Sequence, residues 1–387
     1  MTKLDELVQE LCPDGVEFVS MNELLKRKQI STITPTIKVK RNDYLDIGET
    51  PIISQEIEYI SGYCNFHDKN IPCGNYVCFG DHSEHIKYIN FSFVQGADGL
   101  KIMRTNESTI SSRYLFHALS SKYQRHNNYE RHFKYLTDTI IPVPPLPVQR
   151  EIVRILDNFT ELTAELTAEL TARKKQYAYY RDKLLSTNNS SVPVVELRDI
   201  VKKSCSGATP AKGNAEYYEN GTIPWIRTQD VRFNEITEVN SYITEKAVSE
   251  TATKWIPENC VIVAISGATA GRCAINKIKA TTNQHCLNLI IDDSMALYRY
   301  VFHCLCSKYE ELISRKQGAR GDLNSSLILS LPIPIPSLEV QKRLVEVLDN
   351  FDAICTDLSS GLPAEIEARQ KQYEYYRDKL LTFTPAD

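Results

Sequence analysis

No apolar run in this chain approaches the ~20 residues that a membrane-crossing helix needs, so no helical span is expected. The first residues, MTKLDELVQEL, are charged and lack the apolar core of a secretory signal. These two absences give the expectation of a soluble, cytoplasmic protein. Positive charge is not in excess: 45 Lys and Arg stand against 49 Asp and Glu, for a net charge of −4. That total does not advertise nucleic-acid binding, although binding depends on where basic residues lie rather than on their sum. The motifs of common catalytic classes are missing too. We find no NPPY-type tetrapeptide or glycine-rich loop for S-adenosylmethionine, no Walker lysine, and no spaced acidic pair with a lysine. Histidines and serines are too scattered to nominate a triad. SGATAGR (266–272) lacks the GxxxxGK[ST] spacing of a phosphate loop and lies between two strand-like segments, so it reads as a tight turn presenting Arg272.

Disulfides are not expected, because eleven cysteines scattered through such a chain read as reduced thiols. CGNYVCFGDHSEH (73–85) brings Cys73, Cys78, His82 and His85 close in sequence. The cysteine spacing is long for zinc and the second half of the chain has no counterpart. The segment reads instead as a strand with buried thiols, followed by an exposed turn at Gly80, Asp81 and His82. Cys304 and Cys306, in LYRYVFHCLC, read as core helix.

What the chain does have is a repeat. Residues 144–159 read PPLPVQREIVRILDNF and residues 336–351 read PSLEVQKRLVEVLDNF; RKKQYAYYRDKLL (173–185) returns as RQKQYEYYRDKLL (369–381). Gln149 aligns with Gln341, a shift of 192, and Tyr177 with Tyr373, a shift of 196, so the second copy holds four extra residues near SSGLPAE. The parts between match faintly, VSMNEL (19–24) over VELRDI (195–200). Two α+β segments with short strands, each followed by a helical frame, therefore make up the chain. Its 387 residues allow two or three domains with real cores.

In the first helix Val148, Ile152, Ile155, Phe159, Leu162 and Leu166 recur at spacings of four and three, a coiled-coil-like seam. No glycine or proline interrupts residues 148–185. Val340, Leu344, Val347, Phe351 and Ile354 give the second helix a matching seam, which Gly361 and Pro363 are expected to kink or break. TELTAELTAELTA (160–172) is a tetrapeptide repeat of strong helix formers. It reads as a plain spacer or as an adjustable ruler. One TAEL unit adds ~6 Å and about 40°, against roughly 3.4 Å and about 34° per base pair of DNA.

These repeated helix motifs, with ISGATAGR and RKQGARGDLNSSLILSLPIPIP, resemble the specificity subunit of type I restriction–modification systems over essentially the whole chain. The resemblance implies an α+β fold with a pseudo-twofold internal repeat, in which two long antiparallel helices forming a coiled coil separate two target-recognition domains. It places the first target-recognition domain at 1–144, the first conserved helix at 145–187, the second target-recognition domain at 188–335 and the second helix at 336–387. It implies a non-catalytic subunit whose domains each read half of a split, asymmetric site on double-stranded DNA. Two modification (methyltransferase) subunits would dock on it, and restriction subunits would join them. The chain itself would need no cofactor: S-adenosylmethionine, ATP and magnesium would belong to those partners.

Base and phosphate contacts come mainly from Arg, Lys, Asn and Gln. The basic segments 121–135 and 314–324 supply most candidates. In the first domain these are Asp81, His82, Arg125, Arg131, His132 and Lys134; in the second, Arg227, Gln229, Arg272, Lys316, Arg320 and Asn324. For each, the alternative is an ordinary solvated surface role; the family motif carries over most directly to Arg320 and Asn324. Tyr177, Tyr180, Tyr373 and Tyr376 look too apolar for a solvated helix, and fit either helix packing or partner docking. Two other classes stay open: an enzyme with degenerate methyltransferase or nuclease motifs, and a helical scaffold that does not read DNA.

Overall fold

The computed structural model describes residues 2–35, 37–65, 70–96, 99–186, 191–315, 322–356 and 360–386. Two compact units form. One comprises residues 1–167 with 365–387, the other residues 168–364. These units run across the boundaries that the sequence motifs suggest: each combines an α+β part with half of the first helical stretch and part of the second.

In the first unit a four-stranded antiparallel sheet has the order Ile30–Ile33, Leu100–Thr105, Tyr76–Gly80, Ile86–Ile89. Its strand YVCFG is buried at every position, as expected of a short apolar run in the middle of a sheet. A three-stranded sheet, Gly62–Cys64, Thr50–Ile53 and Val94–Gln95, lies beside it in sequence. Phe18–Ser20 pairs with Ile140–Pro142, just before the first helix. The helix Ser112–Lys122 packs on the main sheet and buries Tyr114, Leu115, His117 and Leu119.

The second unit repeats this plan with different strands. A five-stranded sheet runs Val201–Ser206, Cys286–Ile291, Val261–Ala264, Cys273–Asn276, Asn234–Ile236. The reading of SGATAGR as a turn between strands holds, since Val261–Ala264 and Cys273–Asn276 flank it and pair antiparallel. A four-stranded sheet centres on Ile223–Ile226 and Ala280–Thr282. Val194–Glu196 pairs with Pro332–Pro334, the counterpart of the pair in the first unit. The helix Tyr298–Ser307 buries Tyr300, His303, Cys304 and Cys306, so the cysteines are core as expected.

The first repeated helix is continuous from Leu146 to Leu184. Pro147 sits in its first turn, where a missing N–H costs nothing. In the TAEL stretch the threonine hydroxyls donate back along the helix, Thr163 to the Phe159 carbonyl at 2.8 Å and Thr167 to that of Thr163 at 2.8 Å. That bonding lets a residue of modest helix propensity stay in register. The second repeated helix is broken where Gly361 and Pro363 suggest, into Leu338–Thr356 and Leu362–Leu380.

The predicted seam is only partly the buried face. Val148 and Ile152 are fully buried, but Leu162, at the start of the TAEL stretch, is 36% exposed. On Leu338–Thr356 the buried side is Gln341, Val345, Leu348 and Cys355, whereas Val340, Val347 and Ile354 are 42%, 46% and 46% exposed. The stripe is wide, and its fixed edge is the one that packs on the neighbouring globular core.

Candidate nucleic-acid interface

Each unit closes its helices onto its α+β part with the same polar cluster. In the first unit Arg113 and His117, on Ser112–Lys122, reach Asp157 on the long helix Leu146–Leu184. Arg113 Nε donates to Asp157 Oδ1 at 2.7 Å, and His117 Nε2 lies 3.1 Å from the same oxygen. His117 Nδ1 meets the Tyr373 hydroxyl at 2.9 Å. The Gln149 side chain accepts from Ser111 N and donates to the carbonyls of Thr109 and Pro144. The Tyr114 hydroxyl donates to the Pro142 carbonyl. In the second unit Arg299, His303, Asp349, Tyr177, Gln341 and Tyr300 take the same places. Arg299 Nε reaches Asp349 Oδ2 at 2.7 Å and His303 Nε2 reaches Asp349 Oδ1 at 2.8 Å. His303 Nδ1 is 3.3 Å from the Tyr177 hydroxyl.

Sequence reasoning missed this cluster, yet its signal was present: RYLFHAL (113–119) recurs as RYVFHCL (299–305). Burial pushes the Asp157 carboxyl up, but the hydrogen bonds from His117 and Arg113 outweigh it and hold it below its ordinary value. Asp349 is lowered in the same way by His303 and Arg299. Burial lowers His117 and favours its neutral form. An Asp–His–Tyr arrangement suggests acid–base work, but His117 and His303 are sealed in the core, at 0% and 1% exposure. They fix helices in place.

The exposed polar chemistry lies elsewhere, in one cleft in each α+β part. In the second unit a cleft of about 700 Å³ is lined by Trp225, Arg227, Gln229, Asn240, Gln284 and His285, among others. The strand Ile223–Ile226 delivers Trp225, whose indole N–H donates to the Ala208 carbonyl at 3.1 Å. The Arg227 guanidinium lies 5.8 Å from the Trp225 ring, a cation–π distance, and its Nε has no partner. Gln229 is exposed at the rim. Amides, an imidazole and a guanidinium offer both donors and acceptors, the set that matches base edges. Arg272 is half-buried in its turn.

In the first unit a cleft of about 430 Å³ is lined by Thr32, Lys38, His82, Lys101 and Arg131, among others. His82 stacks on Tyr129, with ring centroids 5.2 Å apart. Arg125 is exposed and donates to His85 Nδ1 at 3.1 Å. Lys134 is exposed and paired with Glu130 at 3.1 Å.

Two expected contacts need correction. Asp81 is not in an exposed turn: it is 3% exposed and its carboxylate accepts the backbone N–H of Phe133 at 2.8 Å. His132 is fully buried, with Nδ1 3.1 Å from the Asp81 carbonyl. Both side chains serve the loop that carries Arg131. Asn324 caps the helix Ser325–Leu329, accepting from Ser326 N. Lys316 and Arg320 lie outside the described residues. Tyr177 and Tyr373 belong to the buried clusters, whereas Tyr180 and Tyr376 are 43% and 39% exposed.

A duplicated frame that holds two unlike polar clefts has the form of a recognition protein rather than of an enzyme with one catalytic centre. The chain belongs to the family of the type I restriction modification DNA specificity domain, whose model matches residues 13–173 and again residues 189–368. It is 34% identical to the EcoR124I/EcoR124II type I restriction enzyme specificity subunit of Escherichia coli, over 99% of this chain and 98% of that one. It is 32% identical to a putative type I specificity subunit of Haemophilus influenzae, over 63% of this chain and 64% of the relative. The fold matches a type I system S subunit from M. genitalium with a TM-score of 0.56, at 13% identity, covering 95% of this chain and 96% of that chain. It also matches a chain solved in work on "complex assembly" of "the type I R-M system", with a TM-score of 0.61, at 16% identity, covering 95% and 98%. Specificity subunits are the non-catalytic, DNA-recognising components of type I restriction–modification systems, and assemble there with methyltransferase and restriction subunits. Among the described residues, no helix is long and apolar enough to cross a membrane.

Proposed function

We propose that the two α+β parts each read one half of a bipartite, asymmetric double-stranded DNA site. The observation that carries this reading is a repeated frame bearing unlike clefts: a Trp–Arg–amide surface around Arg227 and Gln229 in one unit, and a His82–Lys101–Arg131 surface in the other. Like frames with unlike surfaces suit a site whose halves differ in sequence. The helices set the distance between half-sites, and the TAEL stretch is the adjustable part. They also dock two modification subunits. Support for docking comes from the exposed apolar row Val340, Val347 and Ile354, at seven-residue spacing, and from exposed Tyr180 and Tyr376. S-adenosylmethionine is bound by the modification subunits, and ATP and magnesium by restriction subunits that join them. Methylome mapping of cells that express this chain with its modification subunit tests the reading. A split asymmetric motif is expected; a continuous palindromic one would overturn it.

A further inference from the structure

Glu84 stands in the turn between Tyr76–Gly80 and Ile86–Ile89 with φ at 56°, a left-handed conformation that a glutamate rarely adopts. Its side chain is 2% exposed. Oε1 accepts the backbone N–H groups of His126 (3.0 Å) and Asn127 (2.8 Å); Oε2 accepts the Tyr123 hydroxyl (2.6 Å) and again His126 N (2.8 Å). Two imidazoles flank the carboxylate, with His126 Nδ1 3.4 Å from Oε2 and His132 Nε2 3.6 Å from Oε1. One ligand atom from each of the three residues lies within 4.8 Å of the others.

These spacings are close to those of a bound ion. A tetrahedral ion with bonds of ~2.0–2.1 Å holds its ligand atoms about 3.3–3.4 Å apart. The two glutamate–histidine spacings, one to each carboxylate oxygen, come within a few tenths of an ångström of that, and with one atom from each residue the set spans no more than 4.8 Å, so small side-chain rotations close it on an ion. The surroundings also match the outer shell of a metal site, where the ligating histidine gives its other N–H to a backbone carbonyl and the ligating carboxylate is itself hydrogen-bonded. His132 Nδ1 faces the Asp81 carbonyl at 3.1 Å, which leaves Nε2 towards Glu84. His126 stacks on Tyr135 with centroids 4.0 Å apart, so its ring plane is set, and its exposure leaves a path from solvent.

We propose that Glu84, His126 and His132 bind one divalent transition-metal ion of the zinc class, with a fourth position open to water. The ion ties the turn at residues 80–85 to the loop at 123–132, which carries Arg125 and Arg131. Without the ion, His132 Nε2 lies 2.7 Å from Asn128 Oδ1, while Asn128 Nδ2 donates to Glu130. Binding therefore turns the Asn128 amide away from Nε2, which holds the ion through its lone pair. That the ion orders a DNA-reading loop rests on the function proposed above; that it binds does not.

The test uses the full chain, stripped with chelator and dialysed, then titrated with Zn²⁺ by calorimetry and with Co²⁺ by visible absorption. One equivalent per chain is expected, with cobalt bands of a nitrogen–oxygen site. His126→Gln, at an exposed position and with native circular dichroism as the check on folding, should weaken binding by ~100-fold or more, beyond the 10–100-fold typical of losing an outer-shell partner. His132→Gln should do the same. Three results would overturn the proposal: no stoichiometric binding by a chain with native circular dichroism, binding unchanged in both variants, or thiolate charge-transfer bands that move the ion to cysteines such as exposed Cys73. Because binding is read without DNA, its failure leaves the reading of DNA untouched, and the reverse also holds.

Discussion

Arg227 and Glu84 show how differently two charged residues in the α+β parts behave. Arg227 faces a cleft with an unpartnered Nε. If it contacts a base, Arg227→Ala should cost about 1–3 kcal/mol at one base position, and binding assays on DNA with each half-site altered in turn should show the loss in one half only. Equal loss at both halves would indicate misfolding. Glu84 is spent internally. Burial alone would raise its carboxyl, but its hydrogen bonds from Tyr123, His126 and Asn127 hold it down at about 2, against an ordinary 4.5. Its contribution to stability is therefore complete above pH 4.5 and drains away as the pH falls towards about 2. Acid unfolding followed by circular dichroism should show this slope in the parent chain and lose it in Glu84→Gln. The sequence could not separate these cases. Asp81 sits in a turn-like segment after a strand and His132 in a basic, aromatic stretch, and both segments look solvated. Their burial is decided by contacts with each other's segments, 51 and 52 positions away, which no local pattern carries.

Among the elements, local signals served well where one segment decides its own state. YVCFG is a buried strand because every residue is apolar or small, and the break at Gly361 and Pro363 is a backbone property. The long helix was legible from periodicity, but which edge of its stripe is buried was not. Gln341 answers that, because its amide is satisfied only against Leu297 N and the Met295 and Pro336 carbonyls, and this turns Val345 and Leu348 inward. Val347, left outside, is then a docking candidate: Val347→Asp should abolish co-purification with the modification subunit while the thermal unfolding midpoint stays put. In the TAEL stretch, deleting residues 164–167 shortens the helix by ~6 Å and rotates its C-terminal part by about 40°. Methylome mapping should then report a changed spacer with both half-site sequences kept; an unchanged spacer would sink the ruler.

At the scale of the whole molecule, each unit is completed by a stretch distant in sequence. The Tyr373 hydroxyl that completes the first unit's cluster comes from 256 residues beyond His117, and Tyr177 serves the second unit from the opposite side of the sequence. The chain's last segment is structural. Leu381 is fully buried in the first unit's core, Val16 N donates to the Thr384 carbonyl, and Ala386 N donates to that of Val16. Gly15 has φ of 96°, and a Cβ there would stand 2.6 Å from the Pro385 carbonyl oxygen. Leu381→Ala should therefore cost about 2–5 kcal/mol, and hydrogen exchange should show protection falling in residues 1–167 while 168–364 keep theirs. Synthesis adds a clock to this arrangement. Domains generally fold in the order in which they emerge from the ribosome, but here the second unit is one uninterrupted stretch, 168–364, and the first waits for 365–387. The half made first is finished last. A stop codon placed among residues 365–387 would therefore strike the unit that the ribosome makes first.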